Sequence, residues 1–225
     1  MLGALSRLES VRGQPLREGM RPLLRAMAVI MHFTGLRWAN AMSLSQAHID
    51  ISPLRVIITP PCSKTDQHAT AWGDCPMHLP ARPGDALCPV AALVDAAVPG
   101  ARSVFAMPDG TAPLRNALSA ALEAWLHHTD AGIDTSAFTW HSFRIGAATD
   151  LAVAGAPLHV IKRLLCWRSD SSAEIYMRKE PDTYAQWMHV LAGARPPAAR
   201  PGDGPPALAF PVAIAAIRRA TIVDP

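Results

Sequence analysis

The sequence predicts a mainly α-helical domain that carries one small antiparallel β-sheet, an α+β fold. Three observations point there. Most of the chain is alanine-rich and helix-compatible, and with 50% hydrophobic residues a sizeable core can be buried. β-branched residues concentrate in one short run, "LRVIITP" at 54–60, which reads as a strand. The prolines, 21 in all, cluster at 53–61, 76–89 and 196–212, so those stretches read as loops, turns or tails.

The elements follow in order. Residues 1–20 form a lead-in. "RPLLRAMAVIMHF" at 21–33 is a buried helix, with Pro22 tolerated in its first turn and Gly35 as its stop. A second helix is expected from about Leu36 to Gln46. The strand at 54–60 leads into a polar turn, "CSKTDQH", and a weaker partner strand, "ATAW" at 69–72, placing Lys64 near a hairpin tip. Helices are expected at 88–98, with Pro89 in the first turn, and at 114–129. Further helices run over 140–154, stopped by Gly155 and Pro157, and over 157–165. Ser171 and Glu174 make a capping-box pattern that opens a helix holding Tyr176 and ending before Pro181. Another spans 184–194. "ARPPAARPGDGPP" cannot build a core and reads as a linker. The domain layout is thus a lead-in at 1–20, a main domain at 21–194, a linker at 195–206 and an apolar tail at 207–225 that docks in cis or in trans.

Composition narrows the function. The net charge of +3 permits a nucleic-acid partner without demanding one. Four cysteines with no C-x-x-C pair read as reduced thiols; Cys75, His78 and Cys88 match no common zinc spacing. No secretory signal and no apolar run of bilayer-spanning length is evident, which predicts an intracellular protein without a membrane partner. There is no Gly-rich phosphate loop, no H-E-x-x-H and no nucleophile elbow, so a small-molecule enzyme is an outsider.

One segment carries chemistry. In "TWHSFRIGAAT", His141 and Arg144 are three residues apart and share a helix face, a reasonable phosphate clamp. The same spacing also occurs on ordinary salt-bridged surfaces. Other pieces accompany it in order: Arg37 in "FTGLRWANAMSL", Lys64 in "SKTDQ", Trp167 in "LLCWRSD", and Tyr176 nine residues later in "EIYMR". The set resembles the catalytic domain of the tyrosine recombinases, the family of phage integrases and Cre. "HSFRIGAATDLAVAGAPLHVIKRLLCW" is especially similar to that family's H-S-x-R-x-G-A-A segment, and the likeness covers roughly residues 12–190.

The resemblance implies the tyrosine recombinase catalytic-domain fold and a set of roles. Tyr176 attacks the scissile phosphodiester and forms a 3′-phosphotyrosyl bond. Arg37 and Arg144 hold the non-bridging oxygens. His141 hydrogen-bonds the same phosphate and assists proton transfer. Trp167 donates its indole N–H where many relatives use histidine, and Lys64 is the general acid for the 5′-oxygen. Such a site needs no metal or cofactor, because the cations supply the charge placement that phosphoryl transfer requires. The implied function is site-specific recombination or integration of double-stranded DNA by a homotetramer. Tyr184, beyond Pro181, reads as a packing residue.

Three departures accompany the resemblance, the smallest being Cys166, before Trp167, where the family often has glycine; the other two weigh more. The family usually has an acid three residues after the first arginine, where this chain has Asn40. Only about twenty residues precede the catalytic part, where relatives carry a DNA-clamping domain. Both motivate an alternative, a decayed or truncated DNA-binding module of the same fold. A nicking and rejoining enzyme like the type IB topoisomerases is a third, chemically close option. Between His141 and Lys179, six Lys/Arg (Arg144, Lys162, Arg163, Arg168, Arg178, Lys179) face three acids (Asp150, Asp170, Glu174), an excess suited to backbone phosphates.

Overall fold

The computed structural model describes residues 9–11, 14–61, 76–127, 135, 138–167 and 170. The expected strand at 69–72, the helix holding Tyr176, the helix at 184–194, the linker and the tail lie outside them.

Part of the lead-in joins the fold. Two-residue strands β1 (Ser10–Val11) and β2 (Gln14–Pro15) pair antiparallel, and the Leu16 N–H donates to the Glu9 carbonyl at 2.8 Å. Val11 and Leu16 pack on the main core. Helix α1 (Met20–Thr34) follows. It is apolar nearly all round, with Leu24, Ala26, Met27, Ala28 and Ile30 at 0% exposure, so it sits inside the domain with elements packed on several sides. Gly35, at φ 60°, closes it, and its N–H donates to the Met31 carbonyl at 2.9 Å.

The next helix, α2, is shorter than the apolar run suggested and spans only Trp38–Met42. Arg37 is extended as its N-cap (φ −72°, ψ 155°), so the helix cannot begin at Leu36. At its other end the Ser43 hydroxyl donates to the Asn40 carbonyl at 2.8 Å, and Ser45 opens a separate 3-10 turn, Gln46–His48.

The sheet has three antiparallel strands in the order β3 (Ile49–Ser52), β4 (Arg55–Ile58), β5 (Met77–Pro80). The central strand was legible; its partners were not. β3 pairs Ile49 with Ile58 and Ser52 with Arg55 across a tight Pro53–Leu54 turn. On the other side β5 pairs Met77 with Ile58 and Pro80 with Arg55. This strand falls inside a proline cluster that reads as loop. Pro80 is tolerated because it ends an edge strand, where a missing N–H costs little. Val56, Ile58 and Leu79 are buried while Arg55 is exposed, so one sheet face covers the core.

Helices α3 (Pro89–Asp95), α4 (Arg115–His127), α5 (Trp140–Val153) and α6 (Leu158–Leu164) match expected positions, with α3 ending a turn early. α3, α4 and α5 pack on α1 around Trp125, Phe105, Leu118 and Leu122. A smaller cluster of Ala147, Ala148, Ile161, Leu165 and Trp167 joins α5 to α6. No helix among the described residues is long and apolar enough to cross a membrane.

Candidate active site

The segment Thr34–Arg37 is a chain-reversing device. The Thr34 hydroxyl donates to the Ile30 carbonyl at 2.6 Å and accepts the Leu36 N–H at 3.3 Å. Leu36 is fully buried and anchors the reversal. Arg37, next in sequence, is turned outward and exposed. Its guanidinium has no ion pair or hydrogen bond among the described residues, which leaves it available to an anion.

Helix α5 brings the second pair. It starts with a reciprocal cap: the Thr139 side chain takes the Ser142 N–H, and the Thr139 N–H donates to Ser142 Oγ at 3.0 Å. The serine of H-S-x-R is therefore a helix-start residue, and the helix it caps carries both sequence-predicted positions, His141 before it and Arg144 after it. His141 is exposed. Arg144 is 2% exposed, buried against the C-terminus of α1.

The third contribution is the turn after α6. The Cys166 N–H donates to the Arg163 carbonyl at 3.3 Å and the Trp167 N–H to the Lys162 carbonyl at 2.8 Å, a Schellman turn. Its left-handed position is Cys166, at φ 49° the one described non-glycine residue with positive φ. The turn aims the Leu165 carbonyl and the Trp167 ring at the same point. Arg144 donates from Nη1 to the Gly35 carbonyl and from Nη2 to the Leu165 carbonyl, the latter at 2.9 Å. Its guanidinium carbon lies 4.8 Å from the centre of the Trp167 ring.

Electrostatics tie these residues together. Desolvation first, then the positive charges of Arg144 and Arg37, push His141 below the ordinary histidine range. An exposed histidine feels only part of the burial effect, but the two arginines act in the same direction. A neutral imidazole therefore stands beside two guanidiniums at neutral pH, able to accept a proton.

The structure thus brings together four of the six sequence-predicted residues: Arg37, His141, Arg144 and Trp167. Lys64, in the connection between β4 and β5, and Tyr176 lie outside the described residues. The expectation for Trp167 concerned only its N–H; the structure adds a stack on Arg144. Asn40 is 9% exposed and buried in α2, where an amide can be accommodated without a counter-charge.

Sequence reasoning also missed a neighbour. Arg115, exposed at the start of α4, lies over the Trp38 ring at 5.5 Å. Trp38 contacts Trp140 at 5.4 Å, and the Trp140 N–H donates to Ser119 Oγ at 3.2 Å. Two tryptophans thus turn inward and stack while their chain neighbours Arg37 and His141 are exposed, and Arg115 flanks that patch. The available signal was the repeated juxtaposition of Trp with a sequence-predicted site residue, at 37–38 and 140–141.

A family model described as the phage integrase family matches residues 20–182. Among solved structures, the chain is similar to the XerH site-specific recombinase bound to palindromic difH substrate in a post-cleavage complex. That similarity has a TM-score of 0.60 at 16% identity, covering 85% of this chain and 50% of XerH. It is also similar to the Tn1549 transposon integrase in complex with transposon right end DNA, with a TM-score of 0.55 at 13% identity over 86% of this chain and 64% of that one. For the XerA recombinase the values are 0.52 and 15%, over 83% and 66%. The chain spans about half the length of the XerH chain. No curated protein matches it by sequence. These likenesses establish the fold as that of a tyrosine recombinase catalytic domain.

Proposed function

This chain belongs to the phage integrase family, and from that membership we propose that it is a site-specific DNA recombinase or integrase acting through a 3′-phosphotyrosyl intermediate. The observation that carries the reading is the convergence of Arg37, His141 and Arg144, one guanidinium buried and fixed and the other exposed, around a neutral imidazole. A pentacovalent phosphorane carries extra negative charge on its non-bridging oxygens, and pre-placed cations stabilise that charge more than the ground state.

The steps balance without an external energy source. The Tyr176 oxygen attacks phosphorus and its proton passes to His141. The bond from phosphorus to the 5′-oxygen breaks, and Lys64 protonates the departing oxygen. Arg37 and Arg144 bind the non-bridging oxygens, and Trp167 donates its N–H to the same phosphate. Rejoining is the reverse, with a 5′-hydroxyl attacking the phosphotyrosine. Double-stranded DNA is the substrate, and a homotetramer on two duplexes completes the exchange. Arg37 and Arg115 offer exposed cations to the backbone on either side of Trp38.

The test is a nicked suicide duplex incubated with the full chain at low salt, followed by denaturing electrophoresis. A covalent protein–DNA band is expected. Tyr176→Phe should abolish it, and Tyr184→Phe should leave it. A band that persists in Tyr176→Phe overturns the assignment of the nucleophile. Asn40, an uncharged residue where the family usually has an acid, favours a second reading, a non-catalytic DNA-binding module. That reading predicts salt-dependent duplex binding, no band, and indifference to Tyr176→Phe.

A further inference from the structure

Arg144 is oriented by the main chain. Its two Nη groups donate to the carbonyls of Gly35 and Leu165, which close the C-terminal ends of α1 and α6. We propose that these two carbonyls form a clasp that sets the Arg144 guanidinium before DNA arrives, and that Gly35 and Leu165 are positioning residues for phosphoryl transfer. The proposal rests on the recombinase reading above.

Three features argue for it. Both acceptors are neutral, so they fix the fork without cancelling the charge that the phosphate needs. Each lies at a helix C-terminus, where partial negative charge favours a cation, most strongly for the longer α1. An arginine side chain otherwise retains much rotamer freedom, which would be lost on meeting the phosphate. The ring of Trp167 closes the third side and holds the fork in plane.

The clasp makes glycine necessary at position 35 for two separate reasons. Its φ of 60° is left-handed, and a Cβ there would stand 2.5 Å from Leu165 Cδ2 and 3.7 Å from Arg144 Cγ. A side chain at 35 would therefore have to displace Leu165, which is only 1% exposed and has little room to turn aside, and so would disturb the carbonyl that Leu165 presents to Arg144. A misplacement of about 1 Å in a positioning group can cost about 100-fold in rate. Truncating Leu165 would return the space, though not the backbone preference.

The experiment uses the full chain as wild type, Gly35→Ala and the Gly35→Ala/Leu165→Ala double variant. The first readout is guanidinium NMR of 15N-arginine protein, with Arg144 assigned through Arg144→Lys. The clasp predicts separate, slowly rotating Nη signals for Arg144 in the wild type without DNA. Signals averaged by fast rotation would overturn it, whatever the variants do. The second readout is the rate of covalent adduct formation on a nicked duplex at saturating concentration, beside DNA affinity from anisotropy. Gly35→Ala should lower the rate about 100-fold with affinity within about twofold, and the double variant should recover at least about tenfold. An unchanged rate in a folded Gly35→Ala protein overturns the positioning role. Absence of any wild-type adduct counts against the recombinase reading, and the NMR readout then decides the clasp alone.

Discussion

Replacing Cys166 with glycine should stabilise the protein. Cys166 occupies the left-handed position of the Schellman turn that ends α6, at φ 49°. An L-residue there costs about 1–2 kcal/mol relative to the right-handed region. Glycine removes that cost but adds freedom to the unfolded chain, which returns about 0.4–1 kcal/mol. The net gain spans about 0–1.6 kcal/mol, with a mid-range value of about 0.8 kcal/mol. For a chain of this size that raises Tm by about 1–4 °C. The thiol has contacts of its own, packing on the main core and donating to the Arg163 carbonyl at 3.6 Å, so its loss must be controlled for. Cys166→Ala is the control: it removes the sulfur and keeps the strain. The difference between the two variants, read from urea unfolding or thermal melts in reductant, isolates the backbone term. If the glycine and alanine variants are equally stable, the strain argument fails. If Cys166→Gly also loosens Arg144 in the NMR readout, the turn needs the stiffer residue to hold Leu165 in place.

Two further predictions concern charge. The folded pKa of His141 lies below the usual 6.5, so the unfolded chain binds this proton more readily between the two values. The stability it contributes is fully present above 6.5 and is lost as pH falls through the folded value; His141→Gln should flatten that part of the pH–stability curve. Arg37→Gln should move the His141 titration midpoint upward in NMR, and an unmoved midpoint would separate the two residues. Arg115→Gln should weaken duplex binding about equally for all sequences and lower the slope of log K against log salt by about one. An unchanged slope would place Arg115 off the DNA.

The helices were legible because their signals are local. An apolar run bounded by Gly35, a proline at position 89, and the stop at Gly155 and Pro157 each announce an end or a start within a few residues. The sheet was half legible. β4 shows its β-branched alternation, but β3 and β5 are defined by pairing with it, and Pro80 hides the second. The order of Arg37, His141, Arg144 and Trp167 was readable as a motif. Their contacts were not: the acceptors on Arg144 are main-chain oxygens 109 and 21 residues away. A carbonyl leaves no mark in a sequence beyond the glycine that makes room for it. Arg115 was missed for a similar reason, because its partner Trp38 belongs to another helix.

The two arginines then play unequal parts. Arg37 is carried on a helix start and stands in solvent; Arg144 is inside the protein. Two like charges near one histidine repel, and after burial they are the further causes that push the His141 pKa down. Burial alone would make a second cation costly. The fold offsets this by meeting Arg144 with helix-terminal carbonyls and an aromatic face, each favourable to a cation and none of them an anion. On the recombinase reading proposed above, a phosphate arriving between Arg37 and His141 would relieve the repulsion and bind the folded state alone, so DNA affinity and stability would rise together by mass action. The residue that completes this arrangement is Gly35, whose lack of a side chain lets a buried guanidinium keep its charge directed at the site.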